Sequence, residues 1–167
     1  IDIPYSGTKI LMDGIEQDIV EQTEENLTTL TQMFLISSDY EAALEPALAV
    51  AESSDSGDGY DTFGYINYVL TNYREAADAF QMAIDKGELS NRADTLLFLS
   101  RSLVELEDFA GSIDAARQSA EAGDESEQRS ANDYIRFIES SRDRFNIIAE
   151  RRQDAIDFYE PYPSLLD

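Results

Sequence analysis

The chain has 167 residues, of which 43% are hydrophobic, so it is long enough to bury the core of one domain. It carries 12 basic and 35 acidic residues, and the net charge of −23 disfavours nucleic acid and anionic membranes as partners. The lack of Cys, His and Trp excludes disulfides, thiolate or imidazole nucleophiles and the usual zinc sites. The longest apolar run, residues 47–51, is far shorter than the ~18 residues of a membrane span.

Near the N-terminus, the sequence predicts a helix from Pro4 to about Glu16. Ile10, Leu11 and Ile15 recur there at helical spacing, and the polar residues 16–18 favour an end to the helix. We expect this segment to be the second helix of a preceding, truncated repeat.

Residues 24–124 repeat one pattern of side chains three times. Eight positions recur 33 residues later and again 36 residues after that, the three extra residues falling in a polar stretch. In each copy, large residues spaced 3 and 4 apart predict a first helix, and small residues after an aromatic predict a second. The predicted hairpins cover about 24–56, 57–90 and 93–124. The eight positions of the first copy are Leu27, Leu30, Thr31, Phe34, Tyr40, Ala43, Ala47 and Val50.

Turn and capping residues separate the predicted helices. Asp39, Asn72 and Asp108 each precede the aromatic that opens a second helix, so we expect them to cap it. Gly87 and Gly123 stand where second helices should end.

Residue size predicts how the helices pack. Gly64 with Ala76, and Ser100 with Ser112, are expected to let the two helices of a hairpin approach closely. Pro46 lies inside a predicted second helix, where it deletes one hydrogen bond and should bend the helix locally. The aromatics expected to wedge between successive hairpins are Phe34, Phe80 and Phe109.

A long helix of about residues 126–158 is predicted after the third hairpin, because an apolar stripe recurs at steps of 3, 4 and 7. This helix can cap the third hairpin, since a solenoid needs a covered end, or it can pair with its counterpart in a homodimer. Pro161 and Pro163 are expected to break it. The stripe consists of Ala131, Tyr134, Ile135, Ile138, Phe145 and Ile148.

The three copies together resemble the tetratricopeptide repeat (TPR), which has a small residue in the first helix, an aromatic at the turn and spaced small residues in the second helix. The second copy carries the signature residues Gly64, Tyr73, Ala76, Phe80 and Ala83. The first copy departs from the signature at Thr31, and the third at Ser112 and Ser119. The resemblance implies an all-α fold, a right-handed α-solenoid forming one superhelical domain over residues 1–167. It also implies a non-enzymatic protein-interaction scaffold.

Several stretches are also similar to a bacterial envelope TPR protein that is encoded beside the TonB, ExbB and ExbD components of an energy-transduction system. These stretches are residues 21–30, 40–48, 56–64, 85–89 and 129–135. The similarity implies a periplasmic adaptor of an uptake system, although the chain beyond about Phe145 departs from it. The alternative is a docking or regulatory arm of a larger enzyme or of a cytoplasmic complex. Because the chain begins with Ile1, we expect a fragment of a longer protein, with any targeting segment outside it.

In TPR arrays the first helices line a concave groove that holds peptides. TPR arrays that clamp acidic C-termini carry Lys, Arg and Asn in this groove, whereas here Arg101 is the single basic residue of the predicted face. We therefore expect a basic or apolar partner segment, with Glu25, Asp58 and Asp94 at the edge of the groove. The candidate partner-binding residues are Thr28, Gln32, Leu35, Asp61, Tyr65, Tyr68, Leu97, Arg101 and Val104.

Some of these residues have an equally simple structural interpretation. Tyr65 and Tyr68 could cover the next hairpin or lie half-exposed on the surface, and Arg101 could pair with a nearby Asp. Residues 1–73 hold 14 acidic residues and one basic residue, which solubility explains as well as the steering of a cationic partner does.

No pattern indicates catalysis or a bound cofactor. Asp55, Asp58 and Asp61 lack the spacing of a calcium-binding loop. The glycines of residues 57–64 follow no strand and precede no Lys, so they do not form a phosphate-binding loop. We therefore predict no enzymatic activity, no cofactor and no metal.

Overall fold

The computed structural model describes residues 3–159, with side chains from Gly7 onward, and these residues form helices without a strand. The helices are α1 (Ile3–Glu16), α2 (Glu24–Ile36), α3 (Tyr40–Ser53), α4 (Asp58–Val69), α5 (Tyr73–Lys86), α6 (Arg92–Glu105), α7 (Phe109–Ala122) and α8 (Glu125–Tyr159). Each helix packs against the next one along the chain. This all-helical stacked arrangement confirms the predicted fold class. The predicted break at Pro161 and Pro163 lies outside the described residues.

Helices α2–α3, α4–α5 and α6–α7 form three hairpins that coincide with the three copies of the repeat. Asp39 and Asp108 cap the second helices as predicted, accepting hydrogen bonds from the backbone N–H groups of Ala42 and Gly111. Asn72 behaves differently, because its side-chain amide donates to Asn67 Oδ1 at 3.3 Å and makes no capping bond.

The turn inside each hairpin places a non-glycine residue in the left-handed region. Ser38, Thr71 and Glu107 have φ angles of 58°, 62° and 62°. The residue after each one donates its N–H to the carbonyl five residues earlier at 2.9 Å, which is the Schellman pattern of helix termination. Glycine is the usual residue at this position, so the three turns carry backbone strain, most of all at β-branched Thr71.

Three clusters of apolar side chains form the core along the stack. Phe34 and Phe80 are buried in the first and second clusters, and Phe109 packs against the third, as predicted. Gly64 has a different role from the expected one. A Cβ at Gly64 would lie 2.9 Å from the ring of Phe80, so the missing side chain makes room for this ring rather than for Ala76.

Serines replace apolar packing in the third hairpin. The Oγ of Ser100 donates to the carbonyl of Ser112 at 2.8 Å, and the Oγ of Ser112 donates to the carbonyl of Ser100 at 2.7 Å. Ser119 donates to the carbonyl of Ala93 at 2.6 Å. Among the described residues, no buried side-chain polar atom is left without a hydrogen bond, so these hydroxyls are accommodated without a desolvation penalty.

Helix α1 covers the open end of the first hairpin. Leu11, Met12 and Ile15 pack against the cluster of Leu30 and Phe34. Ile10, which the sequence placed on the same apolar face, is exposed instead. The spacing of Ile10 to Leu11 puts the two side chains about 100° apart around the helix, so one packs while the other faces outward.

Helix α3 continues through the buried Pro46, and the local bend expected there stays a prediction. Helix α8 packs against α7 through the buried Ala131 and Ile138. The predicted apolar stripe packs as far as Phe145, whose ring contacts that of Phe109, whereas Ile148 is exposed. Within residues 3–159, every helix is too short or too polar to span a bilayer.

Candidate partner-binding surface

The first helices of the second and third hairpins and helix α8 lie side by side, and α2 shares a cavity with α4. Helix α4 contacts α6, and α6 contacts α8, in addition to the contacts within each hairpin. We call the outward faces of α2, α4, α6 and the first half of α8 the first-helix surface. All nine candidate partner-binding residues lie on α2, α4 or α6.

Phe98 of α6 is the centre of an aromatic group on this surface. Its ring stacks on the buried Phe80, with the centroids 5.8 Å apart. Tyr65 and Tyr68 meet Phe98 edge to face at centroid distances of 5.5 Å and 5.4 Å. The two tyrosines therefore cover the next hairpin, as the structural interpretation expected, and Tyr65 still exposes 36% of its surface.

Arg101 lies across aromatic rings. Its guanidinium carbon is 4.9 Å from the ring centroid of Phe98 and 5.8 Å from that of Tyr134. The ion pairs within residues 3–159 all lie on α8, and Arg101 belongs to none of them. The expected pairing of Arg101 with an Asp is thus replaced by cation–π contacts that join α6 to α8.

Tyr134 extends the aromatic surface onto α8. Burial, reinforced by Tyr68 and Glu105 against the opposing effect of Arg101, raises the pKa of Tyr134 to about 12. The phenol therefore stays protonated and able to donate a hydrogen bond at neutral pH. Its ring stacks with that of Phe137 at 5.5 Å. The resulting aromatic strip consists of Tyr65, Tyr68, Phe98, Arg101, Tyr134 and Phe137.

Carboxylates flank the aromatic strip on the N-terminal side of the same helices. Asp58 accepts two hydrogen bonds from Ser90, one from its N–H at 2.8 Å and one from its hydroxyl at 2.5 Å. Burial raises the pKa of Asp61. The charges of Asp94 and Asp58 raise the pKa of Asp61 further, and a hydrogen bond with Thr95 opposes the shift. We call Asp58, Asp61 and Asp94 the acidic edge. Within residues 3–159, no group of three or more carboxylate side chains is arranged to hold a metal ion.

The candidate residues of α2 lie apart from the aromatic strip. Thr28, Gln32 and Leu35 line a cavity of about 220 Å³ that is closed on the other side by Gly59 and Thr62 of α4. Tyr65 lies close to Tyr40 of α3, because Tyr40 contributes through its charge and a hydrogen bond to the raised pKa of Tyr65, after the larger effect of burial.

Two candidates offer a partner little surface. Leu97 exposes only 7% of its surface, although it lies four residues before Arg101 and so shares its face of α6. Val104 packs against the cluster of Ile113 and Ile138. Leu97 and Arg101 do line a cavity of about 210 Å³ between α6 and α8.

Reasoning from the sequence missed three members of the aromatic strip. Tyr134 was assigned to packing, and Phe98 and Phe137 were not singled out as binding residues. A signal was present, since Phe98 stands three residues before Arg101 and so shares its helix face.

No family model matches the sequence, and no curated protein matches it. Solved structures of MamA resemble the chain in fold. One has a TM-score of 0.69 at 16% identity over 97% of this chain and 99% of that one. Another has a TM-score of 0.66 at 17% identity over 93% and 84%. MamA AMB-1 matches with a TM-score of 0.61 at 17% identity, and this chain spans 61% of its length.

At these identities the likeness concerns the fold. MamA is an all-helical, TPR-like solenoid, so these structures support the TPR-type fold but do not support the expected resemblance to the TonB-linked envelope protein. The chain therefore has the fold of a TPR-type α-solenoid that ends in a long C-terminal helix.

Proposed function

We propose that this chain is a non-enzymatic scaffold that binds a polypeptide segment on its first-helix surface. The observation that carries the proposal is the partly exposed aromatic strip, which crosses three helices and lies beside the acidic edge. Large aromatic side chains that remain accessible on a rigid surface are typical anchors of protein interfaces.

The chemistry of the surface favours a basic and apolar segment. The faces of Tyr65 and Phe137 can accept the stem and charge of a Lys or Arg, a contact worth about 0.5–1 kcal/mol at exposed sites. The acidic edge attracts the same cations, and a net charge of −23 repels acidic segments. Long-range attraction of this kind weakens as salt is added.

Peptide binding tests this proposal. Immobilised chain is exposed to matched peptides of basic-apolar, neutral-apolar and acidic composition, and we expect the basic-apolar set to bind with an affinity that falls as salt is raised. Replacing both Tyr65 and Tyr68 with Ala should abolish this binding. Met82→Ala, at an exposed apolar position on α5, is the matched control and should bind normally. Preference for acidic peptides, or full binding by the double variant, would contradict the proposal.

We further propose that the partner is a periplasmic domain of a TonB, ExbB or ExbD type component. The sequence stretches that resemble the envelope TPR protein support this assignment. Purified periplasmic domains of the three components provide the test, and binding that is lost with Tyr65, Tyr68 and Arg101 replaced is the expected result. A catalytic domain in the complete gene would instead favour the docking arm of a larger enzyme.

A further inference from the structure

Helix α8 continues beyond the ring contact of Phe145 with Phe109 of the third hairpin. It has 35 residues, whereas the other helices have 12 to 14. Its last buried side chain is Ile138, and every side chain from Arg142 to Tyr159 is exposed. We call residues 141–159 the distal α8 segment. At 1.5 Å per residue, it extends roughly 28 Å.

Phe145 contacts the ring of Phe109 at a centroid distance of 5.5 Å, and beyond Phe145 the apolar face of the distal α8 segment is exposed among the described residues. Ile148 and Ile156 are 63% and 50% exposed. Ile148 and Ile156 lie on the same face of α8 as Tyr134 and Ile138, which pack against the third hairpin. Successive steps of 3 and 4 residues along the helix connect these positions. The members of the distal face are Phe145, Ile148, Ala149, Ala155, Ile156 and Tyr159.

The charge of this segment differs from that of the rest of the chain. Residues 141–159 contain four arginines and four acidic residues, so the segment is neutral within a chain of net charge −23. Two copies can therefore approach each other here without the repulsion that opposes contact elsewhere. Burial of its apolar face would also stabilise this extension, since most helical stability in proteins comes from the packing of an amphipathic face.

We propose that two copies of the chain pair through their distal α8 segments, with the two helices antiparallel. The surface involved is separate from the first-helix surface, so the proposal goes beyond the scaffold function. The antiparallel direction places the two acidic solenoids at opposite ends of the helix pair, where their mutual repulsion is weakest.

Arg152 supports the same direction. It lies in the middle of the apolar face, and a parallel pair in register would place it against its own counterpart. In an antiparallel pair centred near residue 150, Arg152 lies beside Ile148 of the other copy. Its aliphatic stem then covers Ile148 while the guanidinium reaches solvent.

The mass of the full chain in solution provides the first test. Sedimentation should give a concentration-dependent species of twice the chain mass of 18.7 kDa. The double variant Ile148→Glu, Ile156→Glu should remain monomeric over the same concentrations. Ile36→Glu is the matched control, because Ile36 is an equally exposed isoleucine at the end of α2, and it should dimerise normally.

Cysteine cross-linking provides a second test that does not depend on charged variants. The chain has no cysteine, so one that is introduced is unique. Chains with Ile148→Cys, mixed with tagged chains with Arg152→Cys, should form a disulfide-linked heterodimer on oxidation. Each variant alone should cross-link less.

A native chain that stays monomeric would overturn the proposal. Persistence of the dimer in the double variant, its loss in Ile36→Glu, or assembly beyond two copies would overturn it as well, because each result would place the contact on another surface. Preferential cross-linking of Ile148→Cys with itself would overturn the antiparallel direction.

Discussion

The second and third hairpins share one backbone register but achieve the close approach of their helices with different side chains. In the second hairpin, Gly64 of α4 leaves room for the ring of Phe80. The equivalent positions of the third hairpin hold Ser100 and Ala116, so a glycine–phenylalanine pair is exchanged for a serine–alanine pair. Ser100 then uses its hydroxyl to bond α7 directly. The packing of the two helices in a hairpin is thus compatible with an aromatic core or a hydrogen-bonded one, provided that every buried hydroxyl has a partner.

The largest effect is expected from the aromatic core. Phe80→Ala should lower the free energy of unfolding by about 3–5 kcal/mol, because Gly64 has no side chain that could fill the void. Urea denaturation followed by circular dichroism measures the change. Phe109→Ala removes a ring of the third hairpin that is only partly buried, and it should cost less. Equal losses at both positions would contradict the difference between the two hairpins.

The hydrogen-bonded core should show coupling between its serines. Ser112→Ala removes the donor to the Ser100 carbonyl and should cost about 1–2 kcal/mol of unfolding free energy. In a double-mutant cycle with Ser100→Ala, the double variant should lose less than the sum of the single losses, because the two hydroxyls also lie within hydrogen-bond distance of each other, 2.9 Å apart, and removing both leaves neither without this partner. Strictly additive losses would show that the two hydroxyls act independently.

The turns within the hairpins also differ in how much a glycine substitution should stabilise the chain. Thr71→Gly should raise the free energy of unfolding by about 0.5–1 kcal/mol, since it relieves a β-branched residue at a φ of 62°. The same change at Ser38 or Glu107 should stabilise less. Thermal unfolding measures the effect. Thr29→Gly, in the interior of α2, is the control and should destabilise by about 0.5–1 kcal/mol. Destabilisation by Thr71→Gly would contradict the assigned strain.

The smallest effect concerns Asp61, whose equivalent in the third hairpin is the buried Leu97. The pKa of Asp61 lies above its ordinary value of 3.8, mainly because of burial, so the folded chain holds this proton more tightly than the unfolded chain does. Ionised Asp61 therefore lowers stability at neutral pH, and this cost disappears as the pH falls through the folded pKa towards 3.8.

Asp61→Asn should accordingly raise the melting temperature at pH 7, and the gain should vanish at acid pH. The same variant should bind basic-apolar peptides more weakly, because the acidic edge has lost a charge. Asp78→Asn, at an exposed position on α5, is the control and should change neither property. A gain in stability with unchanged peptide binding would assign Asp61 no part in partner recognition.

The sequence predicted most of the fold because the signals for helices and turns are local. Apolar spacing and the capping residues Asp39 and Asp108 placed the hairpins where the structure has them. The residues of the candidate surface were harder to predict from local signals. Register placed Leu97 on the open face, yet it is buried, because residues of α8 lie against this part of α6.

The amino-acid sequence by itself determined the three-hairpin repeat, the acidity and the absence of reactive thiol and imidazole groups, since composition and periodicity contain this information directly. Only the tertiary structure decided that Tyr65, Tyr68 and Arg101 meet around Phe98, and that Tyr134 joins them from α8. It also decided where α8 leaves the solenoid and exposes an apolar face. These contacts join helices that are distant in the chain, and their distances follow from packing that no local spacing records.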